Sequence, residues 1–239
     1  MRNVIYQPWG GLGDNLAHST IPKLCHSAGI PCYISNQNVY RNQGIYDFVW
    51  GLNPYVTGKI DSVDSSWQDT NRKFQPISSN HIEELQYIYG FTPITKYPDV
   101  YYDSKVDINL KGKTIIDLSV HTLANSYNVD ILQRSLKDLI NKLDIKESDI
   151  YIVSLPNLNY GKSYNIPHTN SIDIKDLFYY SDVLTSAKNF ITLYSGAAVL
   201  AATIKNKLQS NLNIYVYSFR WVYNSCCYNF ENTNYILMD

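Results

Sequence analysis

The first 35 residues constrain the fold most, because they place a cluster of glycines between a short strand and a helix. Residues 3–7 form a β-rich run that ends at Pro8, and residues 14–28 carry apolar side chains at near-helical spacing. Residues 30–35 favour a second strand, so the segment predicts a βαβ unit of a parallel sheet. Pro22 lies inside the helical segment and predicts a kink or a broken first turn there. Units of this kind bind ligands at the carboxyl ends of their strands.

The second half of the chain repeats the alternation of strands and helices. Strands are predicted at residues 114–120, 149–155, 189–194 and 213–219, and helices at residues 129–143, 174–186 and 195–204. Between the two halves the pattern is weaker: residues 48–50 favour a strand, residues 62–79 a polar loop, and residues 81–89 a helix capped by Asn80. The sequence therefore predicts an α/β protein of two domains, residues 1–111 and 112–239, joined near residues 110–113.

Composition and charge exclude several classes of protein. Hydrophobic residues make up 45% of the 239, which is ordinary for a protein with a core and excludes a disordered chain. Lys and Arg total 20 against 21 Asp and Glu, so a net charge of -1 draws the chain to no nucleic acid. No apolar run approaches the ~20 residues that span a bilayer, and no signal peptide is evident, so we expect a cytoplasmic protein. Peripheral contact with a membrane is not excluded, and the oligomeric state does not follow from the sequence.

The glycine loop, residues 9–15, is the sharpest candidate for a binding site. Glycines after a strand let the backbone turn tightly and approach a ligand, and the helix N-terminus that follows presents N–H groups to oxyanions. The spacing differs from the GxGxxG dinucleotide fingerprint. A glycine-rich turn also forms without a ligand, so a structural role stays open. The candidate binding residues of the loop are Trp9, Gly10, Gly11, Gly13 and Asn15.

Asp14 is the only acid in the glycine loop. A carboxylate at this position can cap the helix, or it can take a proton from an attacking hydroxyl. His18 follows one turn later, so the two side chains can meet at i,i+4 spacing, either to tune the base or to stabilise the helix. Trp9 lies in the loop, where burial in the core is less expected, and offers a ring on which a ligand can stack.

The second candidate site is Ser195-Gly196, which follows a predicted strand and opens a helix of small residues. A helix N-terminus suits a diphosphate, although small residues also serve close packing of a helix on a sheet. His121 and Thr122 follow another predicted strand, where a ligand loop is expected. Arg220 and Lys162 are candidate cations for contact with a bound anion. The cysteines and histidines show no metal-ligand spacing, so we expect neither a metal nor a cofactor.

Several short motifs follow the order found in the heptosyltransferase-like glycosyltransferases, glycosyltransferase family 9. The glycine loop with Leu16 and residues 19–22 resembles the start of that family. The other segments that resemble it are residues 46–51, 53–54 and 80–83 in its N-terminal half and residues 176–177, 186–187, 195–196 and 200–202 in its donor domain.

The resemblance implies a compact GT-B-like fold, with two Rossmann-like domains facing a cleft, the acceptor on the first and a nucleotide-sugar donor on the second. It implies a metal-independent glycosyltransferase of polysaccharide biosynthesis, with a glycan or lipopolysaccharide-type acceptor and the nucleotide-sugar as co-substrate. Asp14 matches the family's proposed general base, and Ser195 and Gly196 match the pair that meets the donor phosphate.

Two positions depart from the family pattern, whose Asp before that pair is Tyr194 here and whose His after it is Val199. Two alternatives therefore stay open. One is a degenerate nucleotide-binding or glycan-binding module without turnover, and the other is a GT-B-type nucleotide-sugar epimerase or hydrolase.

Overall fold

The computed structural model describes residues 2–61, 80–121, 123, 125–156, 162–163, 170–225 and 228–238. The chain divides into two compact units. The first comprises Met1–Asp103 and Phe219–Glu231, and the second comprises Ser104–Ser218 and Asn232–Asp239. The predicted junction of residues 111 and 112 therefore lies inside the second unit, and a segment near the C-terminus returns to the first.

The first unit is built around a small parallel sheet. Its elements are β1 (Asn3–Ile5), α1 (Leu12–Ala17), α2 (Ile21–Ser27), β2 (Cys32–Ser35), α3 (Gln43–Tyr46), a π-helical turn (Asp47–Gly51), β3 (Gly58–Ile60) and α4 (His81–Ile88). The three strands lie in the order β1, β2, β3, and each pairs in parallel with the next. The predicted βαβ beginning of the chain is confirmed by the pairing of β1 with β2.

The helix predicted at residues 14–28 is two helices, α1 and α2. Pro22 lies in the first turn of α2, where a helix tolerates the missing N–H of proline. The break expected from Pro22 is thus confirmed, and α1 ends one turn after Asp14.

The strand predicted at residues 48–50 is wrong, because these residues form part of the π-helical turn. Phe48, Val49 and Trp50 are all buried there. A run of three apolar residues does not distinguish a buried strand from a buried helical turn. By contrast, α4 confirms the predicted helix, and Oδ1 of Asn80 caps it by accepting from the N–H of Ile82.

The second unit contains a larger sheet and three long helices among its described elements. These elements are β4 (Thr114–Asp117), β5 (Ser119–Val120), α5 (Val129–Lys142), a 3₁₀ turn (Glu147–Asp149), β6 (Ile150–Ser154), β7 (Lys162–Ser163), β8 (Ser171–Asp173), α6 (Leu177–Ser186), β9 (Asn189–Leu193), α7 (Gly196–Leu208) and β10 (Asn213–Phe219). After β10 the chain forms α8 (Arg220–Ser225) in the first unit and β11 (Asn234–Met238) in the second.

The strand order of the larger sheet is β11, β10, β9, β4, β6, β8. The strands from β10 to β8 are all parallel. Of the strands in this sheet, β4 comes first in the chain. It lies centrally, with β6 and β8 on one side and β9 and β10 on the other. This is the order of a doubly wound nucleotide-binding sheet, and its direction of winding reverses between β4 and β9. Ligands bind such sheets at the carboxyl ends of the strands beside the reversal.

The centre of this sheet is fully enclosed, since every residue of β4 and of β9 is buried. Parallel strands covered on both faces read as continuous apolar runs, which is why both were predictable. The strand expected at residues 114–120 is divided in two, because the carboxylate of Asp117 accepts from the N–H of Ser119 at 2.8 Å and turns the chain. The second piece, β5, leaves the sheet and pairs antiparallel with β7.

Candidate active site

The glycine loop is held in place by the segment that follows β2. The N–H of Gln7 donates to Oδ1 of Asn38 at 2.8 Å, and the N–H of Arg41 donates to the carbonyl of Gly10 at 3.0 Å. Gly10 has a φ of 73°, and a Cβ there would lie 3.0 Å from Cγ1 of Val39. This position therefore requires glycine. The same backbone contacts bring Arg41 to the side of the loop.

Asp14 lies in the first turn of α1, and its carboxylate turns back towards Gly11, the N-cap residue. The backbone N–H groups of Gly11 and of Asp14 itself favour the ionised form of this carboxylate and act to lower its pKa. A Cβ on Gly11 would lie 2.5 Å from Oδ2 of Asp14 and 3.6 Å from Cζ of Arg41. Gly11 is the N-cap of α1, so the prediction that Asp14 caps the helix is wrong: the helix begins at Leu12, and Asp14 lies inside its first turn. The side chain is only half-buried, which also leaves it open to a ligand.

The ionisation of Asp14 depends first on burial and then on two basic side chains, Arg41 and His81. Burial raises the pKa of the carboxyl above its ordinary value, while Arg41, His81 and the two N–H donors act to lower that pKa. His81 is the first residue of α4, which packs on α1. A carboxylate with a raised pKa is a stronger base towards a hydroxyl proton than an ordinary aspartate.

Arg41 and His81 are the site residues that sequence reasoning missed. Arg41 lies in a polar segment without a motif, and His81 was noted only for its place after the cap of α4. Both are far from Asp14 in the sequence, so no local pattern signals that they approach it. The resemblance of residues 80–83 to the family was the one available hint.

His18 meets Asp14 through the backbone rather than through the carboxylate. Its Nδ1 donates to the carbonyl oxygen of Asp14 at 2.9 Å. The ring is buried, and its edge faces the ring of Tyr89 at 6.3 Å between centroids. Burial lowers the pKa of His18 to about 4, so the ring is neutral at physiological pH. The sequence predicted that His18 either tunes Asp14 as a base or stabilises the helix. The hydrogen bond from His18 to the backbone of Asp14 fits the second role.

Three further residues of the glycine loop lie in different environments. Asn15 is buried, and its amide is engaged internally: Oδ1 accepts from Nε1 of Trp50 at 2.9 Å, and Nδ2 donates to the carbonyl of Gly11 at 2.8 Å. It therefore holds the shape of the loop from within, although it was predicted to bind substrate. Gly13 is buried inside α1. Trp9 is 49% exposed, so part of its ring is accessible to a ligand.

Ser195 and Gly196 lie at the carboxyl end of β9, beside the reversal of the larger sheet. Ser195 is the N-cap residue of α7, but its side chain makes no capping hydrogen bond. Its Oγ is enclosed and has no hydrogen-bond partner within the described part of the chain. Gly196 is the first residue of the 13-residue helix. A hydroxyl and a helix N-terminus thus meet at the position where a doubly wound sheet binds phosphate.

A buried carboxyl group lies at the same edge of this sheet and was not predicted. Asp117 ends β4 in register with Thr192 of β9. Its carboxylate accepts hydrogen bonds from the hydroxyl of Tyr180 and from the N–H of Ser119. Burial raises the pKa of Asp117. The network fixes the turn from β4 into β5, and thereby the course of the chain towards His121.

The other residues predicted for the site lie in loops and at the ends of strands and helices. His121 is exposed directly after β5, as its predicted loop position requires, and Thr122 lies outside the described residues. Lys162 is the first residue of β7. Arg220 is exposed at the start of α8 and belongs to the first unit, although its predicted role assumed the donor domain. Cys226 and Cys227 lie outside the described residues.

Comparisons with known proteins define the fold. Neither protein-family models nor curated proteins match the sequence. Solved structures do match it. E. coli heptosyltransferase WaaC with ADP has a TM-score of 0.60 and 13% identity over 100% of this chain and 94% of that chain. E. coli ADP-heptose LPS heptosyltransferase II has a TM-score of 0.59 and 8% identity over 99% of this chain and 90% of that one.

The fold is GT-B-like. TibC, an iron-containing dodecameric glycosyltransferase from enterotoxigenic E. coli H10407, shares it with a TM-score of 0.63 and 17% identity over 100% of this chain. The chain spans 64% of that TibC chain, and 61% of TibC in complex with ADP-D-beta-D-heptose. The likeness to heptosyltransferases predicted from short motifs is thus confirmed in the fold.

The described residues form neither a metal-binding cluster nor a membrane-spanning helix. No group of three or more His, Cys, Asp and Glu side chains in this part of the chain is arranged to hold a metal ion. None of the helices formed by the same residues combines the length and apolar composition needed to cross a membrane.

Proposed function

We propose that the chain is a glycosyltransferase that moves a sugar from a nucleotide-sugar donor to a glycan acceptor. The observation that carries the proposal is Asp14, a half-buried carboxylate on the glycine loop of a GT-B-like fold. It lies where the family resemblance places the general base. A base works best when its pKa approaches the working pH, and burial shifts the pKa of Asp14 in that direction.

In the proposed reaction an acceptor hydroxyl oxygen attacks the anomeric carbon of the donor sugar. The new C–O bond forms as the bond from that carbon to the diphosphate oxygen breaks, and the bonding electrons leave with the nucleoside diphosphate. The hydroxyl proton passes to Asp14. General-base catalysis of this kind typically contributes ~10²–10⁴-fold to the rate.

The second unit supplies the proposed donor site. The N-terminus of α7 presents N–H groups at the reversal of the sheet, and Oγ of Ser195 adds a hydroxyl. Such a site suits the oxygens of a diphosphate. The proposal assigns the charge of the leaving group to this helix terminus and to protein cations rather than to a metal, following the family resemblance. Because WaaC binds ADP and TibC binds ADP-D-beta-D-heptose, adenine nucleotides are the first candidates.

A panel of nucleoside diphosphates and nucleotide sugars, measured by thermal shift, tests the proposed donor site. A ligand that binds only the folded protein stabilises it by about 2.7 kcal/mol at 100 times its Kd. We expect one nucleotide class to raise the melting temperature, and that class then defines the donor for a transfer assay with glycan acceptors. A folded sample that no nucleotide stabilises would contradict the proposal.

A binding module without turnover is the second candidate function. Val199, where the family has a histidine, is buried inside α7 and offers no polar group. The transfer assay distinguishes the two functions. A module binds the nucleotide sugar but releases no nucleoside diphosphate with any acceptor, whereas a transferase releases it in an acceptor-dependent manner.

A further inference from the structure

We propose that Arg41 and His81 are positioning residues for Asp14. They belong to separate elements, and they keep the Asp14 carboxylate ionised where it lies against Gly11. The consequence for turnover rests on the proposed function. The ionisation of Asp14 itself can be measured without any reaction.

Arg41 is held beside Asp14 by the backbone. Its N–H donates to the carbonyl of Gly10. A Cβ built on Gly11 would lie 3.6 Å from Cζ of Arg41 and 2.5 Å from Oδ2 of Asp14, so the guanidinium and the carboxylate border the same position. The Arg41 side chain is half-buried, and among the described residues no carboxylate forms an ion pair with it. A guanidinium stays charged at every physiological pH. Its charge therefore acts on Asp14 rather than being neutralised elsewhere in this part of the chain.

His81 is fixed from its own helix and from the returning segment. Its Nδ1 lies 3.5 Å from Oε2 of Glu84, one turn along α4, and Glu84 is buried. The edge of its ring faces Tyr228 at 5.8 Å between centroids. His81 begins α4, and α4 packs on α1, the helix that carries Asp14.

The two side chains oppose the effect of burial on the pKa of Asp14. Burial raises the pKa of Asp14, and the charges of Arg41 and His81 lower it. A general base must be ionised before it can accept a proton, so Arg41 and His81 extend to lower pH the range in which Asp14 can act. The other titratable groups nearby are His18, which is neutral at physiological pH, and Glu84, which contacts His81.

The test is a carbon-13 NMR titration of the Asp carboxyl groups in the full chain, with Asp14 assigned by the loss of its signal in Asp14→Asn. Arg41→Gln and His81→Gln should each move the Asp14 midpoint to higher pH. Arg41→Lys keeps the charge and should restore the wild-type midpoint. If one of the variants Arg41→Gln and His81→Gln fails to fold, the Asp14 midpoint in the other still tests the proposal.

Matched controls remove the same kinds of charge from exposed positions on α2. Lys23→Gln and His26→Gln should leave the Asp14 midpoint unchanged. An Asp14 midpoint that is the same in the wild type, Arg41→Gln and His81→Gln would overturn the proposal. So would an equal displacement in the control variants, because the effect would then come from net charge.

A second readout uses transfer activity once a donor is known. In Arg41→Gln the acid limb of the pH profile should move to higher pH, so that activity on that limb falls ~10-fold while the KM for donor is unchanged. Unchanged limbs in both neutral variants would count against the positioning role. A displaced Asp14 midpoint in a protein without turnover would support the positioning role and contradict the proposed function.

Discussion

The carboxylate of Asp14 occupies the space that a side chain on Gly11 would need. A Cβ at Gly11 would lie 2.5 Å from Oδ2 of Asp14, closer than real Cβ atoms approach their neighbours. The backbone does not require glycine here, because φ is -73°. The close approach comes from the carboxylate, which folds back over Gly11, so a side chain at this position would have to move that carboxylate.

Replacement of Gly11 by alanine should therefore displace the carboxylate. We expect Gly11→Ala to lower transfer activity by ~10²-fold, the lower range of general-base contributions, while nucleotide binding persists. The matched control is Gly51→Ala, where the nearest atom to the new Cβ lies 3.8 Å away. Full activity in Gly11→Ala, with the protein folded, would show that the orientation of Asp14 does not matter.

Asp14→Asn should stabilise the protein at neutral pH. The folded-state pKa of Asp14 is raised by burial, so folding favours the protonated form, and stability is lost as pH rises from the ordinary aspartate pKa through the folded one. Asparagine keeps nearly the same shape as aspartate without that charge. The melting temperature of Asp14→Asn should exceed that of the wild type at pH 7, and the difference should vanish in acid. A lower melting temperature at pH 7 would contradict this.

His18 should make the protein sensitive to acid. Its folded-state pKa of about 4 lies below its ordinary value of 6.5, so stability is complete above pH 6.5 and is lost as pH falls towards 4. The full loss is roughly 3 kcal/mol. Urea unfolding between pH 7 and 4 should show a shallower pH dependence in His18→Gln than in the wild type. His26→Gln, a change at an exposed histidine, should keep the wild-type dependence, and a shallow wild-type curve would refute the assignment.

Ser195→Ala should weaken nucleotide binding without destabilising the fold. Oγ of Ser195 makes no capping bond to α7, so its removal leaves no backbone group newly unpaired. Loss of one hydrogen bond to a phosphate should raise the Kd about tenfold. Isothermal titration with the nucleotide found in the panel measures this. Ser148→Ala, an exposed change in the same unit, is the control, and an unchanged Kd in Ser195→Ala would remove Ser195 from the donor site.

The parts of the fold that were predictable are those whose signals are local. α4 was predictable because Asn80 caps it and its apolar residues recur at helical spacing, and β9 because a buried parallel strand is a continuous apolar run. The π-helical turn at Asp47–Gly51 was not, since three buried residues fit either structure. Nor was the return of Phe219–Glu231 to the first unit, which depends on tertiary contacts alone.

In the candidate site, too, the residues with a local sequence signal were predictable and those that depend on tertiary contacts were not. The glycine loop and Asp14 were predictable because a strand, glycines and a helix N-terminus follow directly in sequence. Arg41 and His81 were not, because they reach Asp14 through the pairing of the segment after β2 with the loop and through the packing of α4 on α1. Asn15 was predicted as a ligand contact because its type and place fit one, whereas its burial against Trp50 is a tertiary property.

The most direct test of the central claim compares transfer and donor binding in Asp14→Asn. With the donor identified in the panel and an acceptor that supports transfer, the account predicts loss of acceptor-dependent nucleoside diphosphate release by at least ~10²-fold and a donor Kd close to the wild type. Asp47→Asn, an exposed aspartate of the same unit, should behave as the wild type. Wild-type turnover in Asp14→Asn would contradict the claim that Asp14 is the general base.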